Sequence, residues 1–137
     1  MAKLFGFSKR ERLKSRKLIE DLFTTGKVVS QHPVRVMYKF VPGQQHDEAV
    51  LKVGVTVSRR LFKRAVDRNR IKRLLREAYR LQKIELLEMV QQKGLLGYLF
   101  FMYVDRSLPT YQGIYDAINR CLKALIQKVS VQNENVS

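Results

Sequence analysis

One cysteine, two histidines and twelve acidic side chains are all that this 137-residue chain offers to disulfide, metal or acid–base chemistry. A single cysteine excludes an internal disulfide framework and a cysteine-rich metal site, and it predicts a reduced, cytoplasmic setting. His32 and His46 stand alone in predicted loops. The carboxylates are equally scattered, with Asp47 and Glu48 in a turn, Asp67 among arginines and Asp105 after a strand. A metal-dependent nuclease would need such groups clustered around an in-line displacement. No pair has that spacing, so neither a protein-held metal nor catalytic side chains are expected. Long apolar runs are missing too. The longest, such as residues 98–104, are far shorter than a membrane span. The opening stretch MAKLFGFSKRERLK lacks the apolar core of a signal peptide. No repeat or linker interrupts the chain, and its length suits one domain.

What is present is positive charge on a foldable chain. Hydrophobic residues make up 45% of the sequence, too many for a disordered polycation. Against the twelve acids stand 27 Lys and Arg, a net charge of +15. Such an excess repels itself in a small domain and signals a polyanionic partner, nucleic acid or anionic membrane. Its placement says more than its size. Residues 1–17 hold seven bases and one acid, and residues 59–80 hold ten bases and two acids. The rest of the chain is nearly neutral. Basicity confined to two patches is an electrostatic footprint.

Periodicity gives the elements. Residues 8–24 read as an amphipathic helix with Leu13, Leu18, Ile19, Leu22 and Phe23, Ser8 as N-cap and Gly26 as stop. VRVMYKFV (34–41) and LKVGVTVS (51–58) alternate as strands, and VPGQQHDE between them supplies breakers. The simplest pairing makes these two a hairpin, with a short extra strand near residues 28–30. A basic helix runs from Ala65 into the 80s, followed by a mixed segment over 84–97. YLFFMYV (98–104) reads as a strand buried on both faces. After Pro109, Ile114, Ala117, Ile118, Cys121, Leu122, Leu125 and Ile126 stripe a last amphipathic helix, with Cys121 in the core. Residues 130–137 look frayed. The order α-β-β-β-α-β-α predicts an α+β fold, a single-domain two-layer sandwich over 1–137 with an ordered core of about 8–128.

The basic helix AVDRNRIKRLLREAYR divides cleanly at about 100° per residue. Ile71, Leu74, Leu75, Ala78 and Tyr79 share one face. Lys72, Arg73, Arg76 and Arg80 share the other, joined by Asn69. A solvated helix mixes signs, because like charges at i,i+4 destabilise it. Here they stack with little compensation from Glu77, which favours a ridge that binds phosphate. Arginine's planar fork grips phosphate oxygens bidentately, which lysine cannot do. Phosphate contacts position a nucleic acid without reading it. The helix alone leaves RNA and DNA both open.

The same stretch resembles the signature of the bacterial ribonuclease P protein subunit, an Arg-Asn-Arg core followed by Ile-Lys-Arg. VGVTVSRR, LIEDLFTTGK and VRVMY resemble further segments of that family in the right order, so the likeness covers about residues 8–126. One departure is LFKR (61–64), one residue longer than the family's link and without its glycine.

The resemblance implies a protein that binds a large catalytic RNA and helps it remove the 5′ leader from precursor tRNA. The RNA, with Mg²⁺ at its own active site, performs the hydrolysis, and the protein needs no obligate protein partner. Carried over by position, Arg59, Arg60, Arg68, Asn69, Arg70, Lys72, Arg73 and Arg76 would face the RNA subunit. A cleft for the leader would be formed by Ile19, Phe23, Val36, Tyr38 and Thr56, with Ile19 standing where relatives commonly carry an aromatic. The resemblance also implies a left-handed β-α-β crossover, against the usual hand. Two other readings share the basic helix: a ribosomal-type RNA-scaffolding protein with no role in cleavage, and a stand-alone nuclease.

Overall fold

The computed structural model describes residues 11–43 and 50–136. Ser8, His46, Asp47, Glu48 and the first seven residues lie outside the described residues.

The first helix, α1 (Arg16–Thr25), begins later than its amphipathic pattern suggests. Ser15 is the N-cap, its hydroxyl accepting from the Leu18 N–H at 3.3 Å. A serine oxygen in that position satisfies a backbone donor that the helix itself cannot. Leu13 therefore precedes the helix. Gly26 does end it, its N–H donating to the Leu22 carbonyl at 2.9 Å.

Four strands follow: β1 (Lys27–Gln31), β2 (Val34–Pro42), β3 (Leu51–Val57) and β4 (Leu95–Tyr103). They form one sheet in the order β1-β2-β4-β3. The hairpin expected between residues 34–41 and 51–58 does not form. β1, the short extra strand, makes the hairpin with β2, and β4 inserts between β2 and β3. β3 lies parallel to β4, which requires a long crossover between them. The reason is burial. β4 is apolar on both sides and its residues are buried or half-buried throughout, so it belongs at the centre of the sheet, where both faces are covered.

The crossover contains α2 (Ala65–Gln82) and a further helix, α3 (Ile84–Gln92), within the segment that sequence leaves undefined. Leu86 and Val90 are its buried face. Gly94, with φ of 67°, turns the chain from α3 into β4, a left-handed conformation that glycine adopts without steric cost. The last helix, α4 (Tyr111–Val136), continues well past the predicted core limit into the segment where composition predicts fraying.

The two faces of the sheet differ. Val34, Val36, Tyr38, Phe40, Val53, Leu99, Phe101 and Tyr103 pack against α2, α3 and α4 in the main core. Cys121 sits in that core, and burial pushes its thiol up to about 12. A smaller cluster on the other face joins Leu13 and Leu22 to Met37 and Phe100, with Leu18, Ile19, Tyr98 and Met102 at its margin. So α1 lies opposite the other helices and covers only part of its face.

Candidate nucleic-acid interface

Two surfaces bring together the residues that sequence singles out. The first is the outer side of α2. Ile71, Leu75, Ala78 and Tyr79 are buried, and burying each large aliphatic side chain stabilises the docked helix by roughly 1.5–3 kcal/mol. This seam fixes the rotation of the helix, so Asn69, Arg70 and Arg73 are exposed and Lys72 half-exposed. Arg59 and Arg60 are exposed in the turn after β3, where the Arg60 N–H donates to Ser58 Oγ at 3.0 Å.

Three cations on this helix are not simple members of a ridge. Arg68 Nη1 donates to the carbonyls of Phe62 and Lys63 at 2.8 and 2.9 Å. It thereby ties the 61–64 loop to the first turn of α2. Phe62 anchors the same loop from below, buried and 6.0 Å from the Tyr103 ring. Arg76 is half-buried, and burial together with the nearby Arg12 guanidinium holds its pKa below the ordinary arginine value. Arg80 donates from both Nε and Nη2 to the Glu77 carboxylate, at 3.2 and 2.5 Å. Glu77 thus compensates Arg80 directly, more than the sequence suggests. Arg70 and Arg73 on the helix are exposed and Lys72 half-exposed, with Arg59, Arg60, Lys63 and Arg64 exposed just before it.

The second surface is the partly covered sheet face beside α1. Its rows follow from strand register: Val28, Met37, Phe100 and Gly54 lie abreast, and so do Ser30, Arg35, Met102 and Thr56. Gly54 is required here, because a Cβ would stand 2.7 Å from the Phe100 ring and 3.2 Å from the Leu13 carbonyl oxygen. Phe23 projects from α1 with 56% of its surface exposed and meets the Phe100 ring edge-on at 5.8 Å. The helix is held over the sheet by Lys39, whose Nζ donates to Asp21 Oδ2 at 2.8 Å and Thr25 Oγ1 at 3.1 Å. That contact holds the Asp21 carboxyl below its usual range.

Of the five residues expected in a cleft, Ile19, Phe23 and Thr56 are on this face. Val36 and Tyr38 are not. Both point into the main core, 0% and 5% exposed, and burial raises the Tyr38 phenol's pKa. Adjacent strand residues face opposite sides of a sheet, so the residues of β2 on the cleft side are Arg35, Met37 and Lys39. The alternating apolar pattern of β2 already marks Val36 and Tyr38 as core. Placing them in a cleft by resemblance alone displaces the assignment by one residue.

Other residues also depart from expectation. His32 is not isolated: its Nε2 lies 3.1 Å from Asp105 Oδ2. Arg106 joins Ser58, Arg60 and Leu61 around a groove at the carboxyl ends of β3 and β4. No sequence signal pointed to it. Among the described residues, no group of three or more His, Cys, Asp and Glu is placed to hold a metal ion. No helix among them is long and apolar enough to cross a membrane.

Cationic helix and open sheet face can be set beside known proteins. The sequence profile of the family described as Ribonuclease P matches residues 7–130. A protein of Porphyromonas gingivalis named Ribonuclease P protein component is 40% identical over 118 residues, covering 86% of this chain and 85% of its own. One of that name from Chlorobium phaeobacteroides is 30% identical over 122 residues, covering 83% and 84%. Among solved structures, the Staphylococcus aureus RNase P protein superposes with a TM-score of 0.61 at 21% identity, over 84% of this chain and 94% of that one. At that identity the match speaks for the fold.

Proposed function

The chain belongs to the ribonuclease P protein family, and from that premise we propose that it is the protein subunit of a ribonucleoprotein that matures the 5′ end of tRNA. In this reading α2 binds the catalytic RNA subunit, and the open sheet face takes the 5′ leader of precursor tRNA. The RNA, with Mg²⁺ bound at its own active site, carries out the hydrolysis. The protein works in the cytoplasm without an obligate protein partner.

The observation that carries the proposal is the sidedness of α2. One flank is buried as a hydrophobic seam, while Asn69, Arg70 and Arg73 are exposed on the other. Guanidinium groups on a rigid helix can grip backbone phosphates without reordering the fold. Arg59, Arg60 and Lys72 extend that surface. Arg68 contributes in a different way, by ordering the loop between Arg60 and the helix, and Arg76 lies at the edge of the surface.

The leader assignment rests on the open face. Phe23 offers an exposed ring for stacking, over a floor of Met37, Phe100 and Met102, with Arg35 and Lys39 as adjoining cations. An aromatic beside positive charge is what single-stranded nucleic acid requires. Ile19 and Thr56 line the same surface.

Reconstitution tests the whole reading. Precursor tRNA is incubated with the RNA subunit at physiological Mg²⁺, with and without this protein. Cleavage should be accelerated by the protein and absent with protein and Mg²⁺ alone. Cleavage by the protein alone would instead establish a stand-alone nuclease.

A further inference from the structure

β2 places two cations on the open face of the sheet, and the fold treats them differently. Lys39 is compensated: its Nζ donates to Asp21 Oδ2 at 2.8 Å and to Thr25 Oγ1 at 3.1 Å, contacts that fasten α1. Arg35 shares that side of the strand, since residues at even spacing do. It is exposed and pairs with no carboxylate among the described residues.

What Arg35 meets instead is Ser30, directly opposite it on β1. Its Nε donates to Ser30 Oγ at 3.3 Å, a bond that directly paired strand residues are close enough to make. A neutral hydroxyl orients a guanidinium without cancelling its charge. With Nε engaged, the two terminal nitrogens remain, and such a pair of parallel donors grips a phosphate. A charge present only for solubility needs no fixing. A phosphate grip does, because an ordered fork loses less freedom on binding.

The surroundings suit an unpaired strand. On its other side Arg35 lies abreast of Met102 and then Thr56, and strands sit about 4.8 Å apart. The cation is therefore about 10 Å from the Thr56 position, with an apolar thioether between them. Phe23 stands exposed over the adjoining row, against Phe100. Single-strand sites combine a stacking ring with a cation that tracks the backbone.

We infer that Arg35 is a phosphate contact for the 5′ leader and that Ser30 is its positioning residue. The inference rests on the reading of the open face as the leader site and deepens it, by assigning the backbone grip to one residue and naming what orients it.

The test measures binding of precursor tRNA to the reconstituted holoenzyme over a range of salt concentrations, with a long leader and with a leader cut to a single nucleotide. For the long leader, Arg35→Gln should weaken binding roughly tenfold. It should also lower the slope of log K against log salt by roughly 0.7, the value for one single-strand phosphate. For the short leader it should change neither. Arg35→Lys should keep the slope and lose part of the affinity, because the charge survives without the fork. Ser30→Ala should weaken long-leader binding at an unchanged slope, and should add nothing in an Arg35→Gln background, as for residues acting as one unit. Both side chains are exposed, so these variants should melt as the wild type does. Unchanged long-leader binding in Arg35→Gln would overturn the inference. So would an equal loss with both leaders, which would place the contact on the RNA subunit or the tRNA body. A Ser30→Ala loss that persists undiminished without Arg35 would overturn the positioning role. If Arg35→Gln is silent while Phe23→Ala still weakens long-leader binding, the leader reading of this face stands without the contact. If both are silent, that reading fails as well.

Discussion

Met37 on β2 lies directly opposite Phe100 on β4, on the face of the sheet that α1 only partly covers. Phe100 carries the relationship outward through its edge-on contact with Phe23 at 5.8 Å. Tyr38, one residue along, points into the main core. These neighbours on one strand therefore answer to different tests.

Phe23→Ala should weaken binding of precursor tRNA by about 1–3 kcal/mol, the worth of one stacked base, with little change in melting temperature. Tyr38→Ala should instead destabilise the fold by about 3–5 kcal/mol. Tyr38→Phe should leave leader affinity as it is. Thermal melts beside precursor binding distinguish the two residues, and a leader-specific loss with Tyr38→Phe would refute the register argument.

Arginines on α2 should separate into two classes. Arg70→Ala and Arg73→Ala should each lower the salt slope of RNA binding by roughly 0.7–0.9 and leave stability intact. Arg68→Ala should in addition loosen the 61–64 loop, because it removes two hydrogen bonds to backbone carbonyls. A hydrogen bond from a charged donor is worth about 1.5–3 kcal/mol, reduced here by partial exposure. Amide hydrogen exchange at Phe62 and Lys63 measures the loosening.

Cys121 should be inert in the native protein. Burial pushes its thiol up to about 12, so almost none is thiolate at neutral pH, and the thiolate is the reactive form. Iodoacetamide should modify it only as fast as the chain unfolds, rising steeply with denaturant. Fast modification of the folded protein would contradict the packing of α4.

Asp105 should make the region at the end of β4 sensitive to acid. The Ser107 N–H first, then His32, hold its carboxyl below the usual range. A depressed carboxylate contributes stability that is present above its unfolded value and lost as pH falls through the folded one. The difference in melting temperature between the wild type and Asp105→Asn should accordingly shrink on going from about pH 5 to about pH 2. A difference that grows toward acid would reverse the sign and refute the assignment.

What sequence legibly carried was local. The 3.6-residue period of residues 65–82 separates the buried seam of α2 from its cationic flank, because both faces belong to one element. The apolar run 98–104 announced a central strand, since only a strand covered on both sides lacks a polar face. The Arg-Asn-Arg core and its neighbours resembled a family, and the profile match over residues 7–130 established it. Arg59, Arg60, Asn69, Arg70 and Arg73 are exposed and Lys72 half-exposed, as the polar side of that period implies for the helix residues.

Tertiary structure decided everything that depends on which elements meet. Periodicity within β2 and β3 says that each has two faces, but not that β4 will part them. It marks Val36 and Tyr38 as the buried face of β2, but only the packing of α1 against Met37 shows that the other face is partly covered and partly open. Arg68 binds the loop carbonyls of Phe62 and Lys63, and Arg76 is half-buried, neither of which a helical wheel contains. Glu11 and Lys83, 72 residues apart in sequence, form an ion pair because the fold brings them together. Charge along a chain is set by composition, whereas charge on a surface is set by packing.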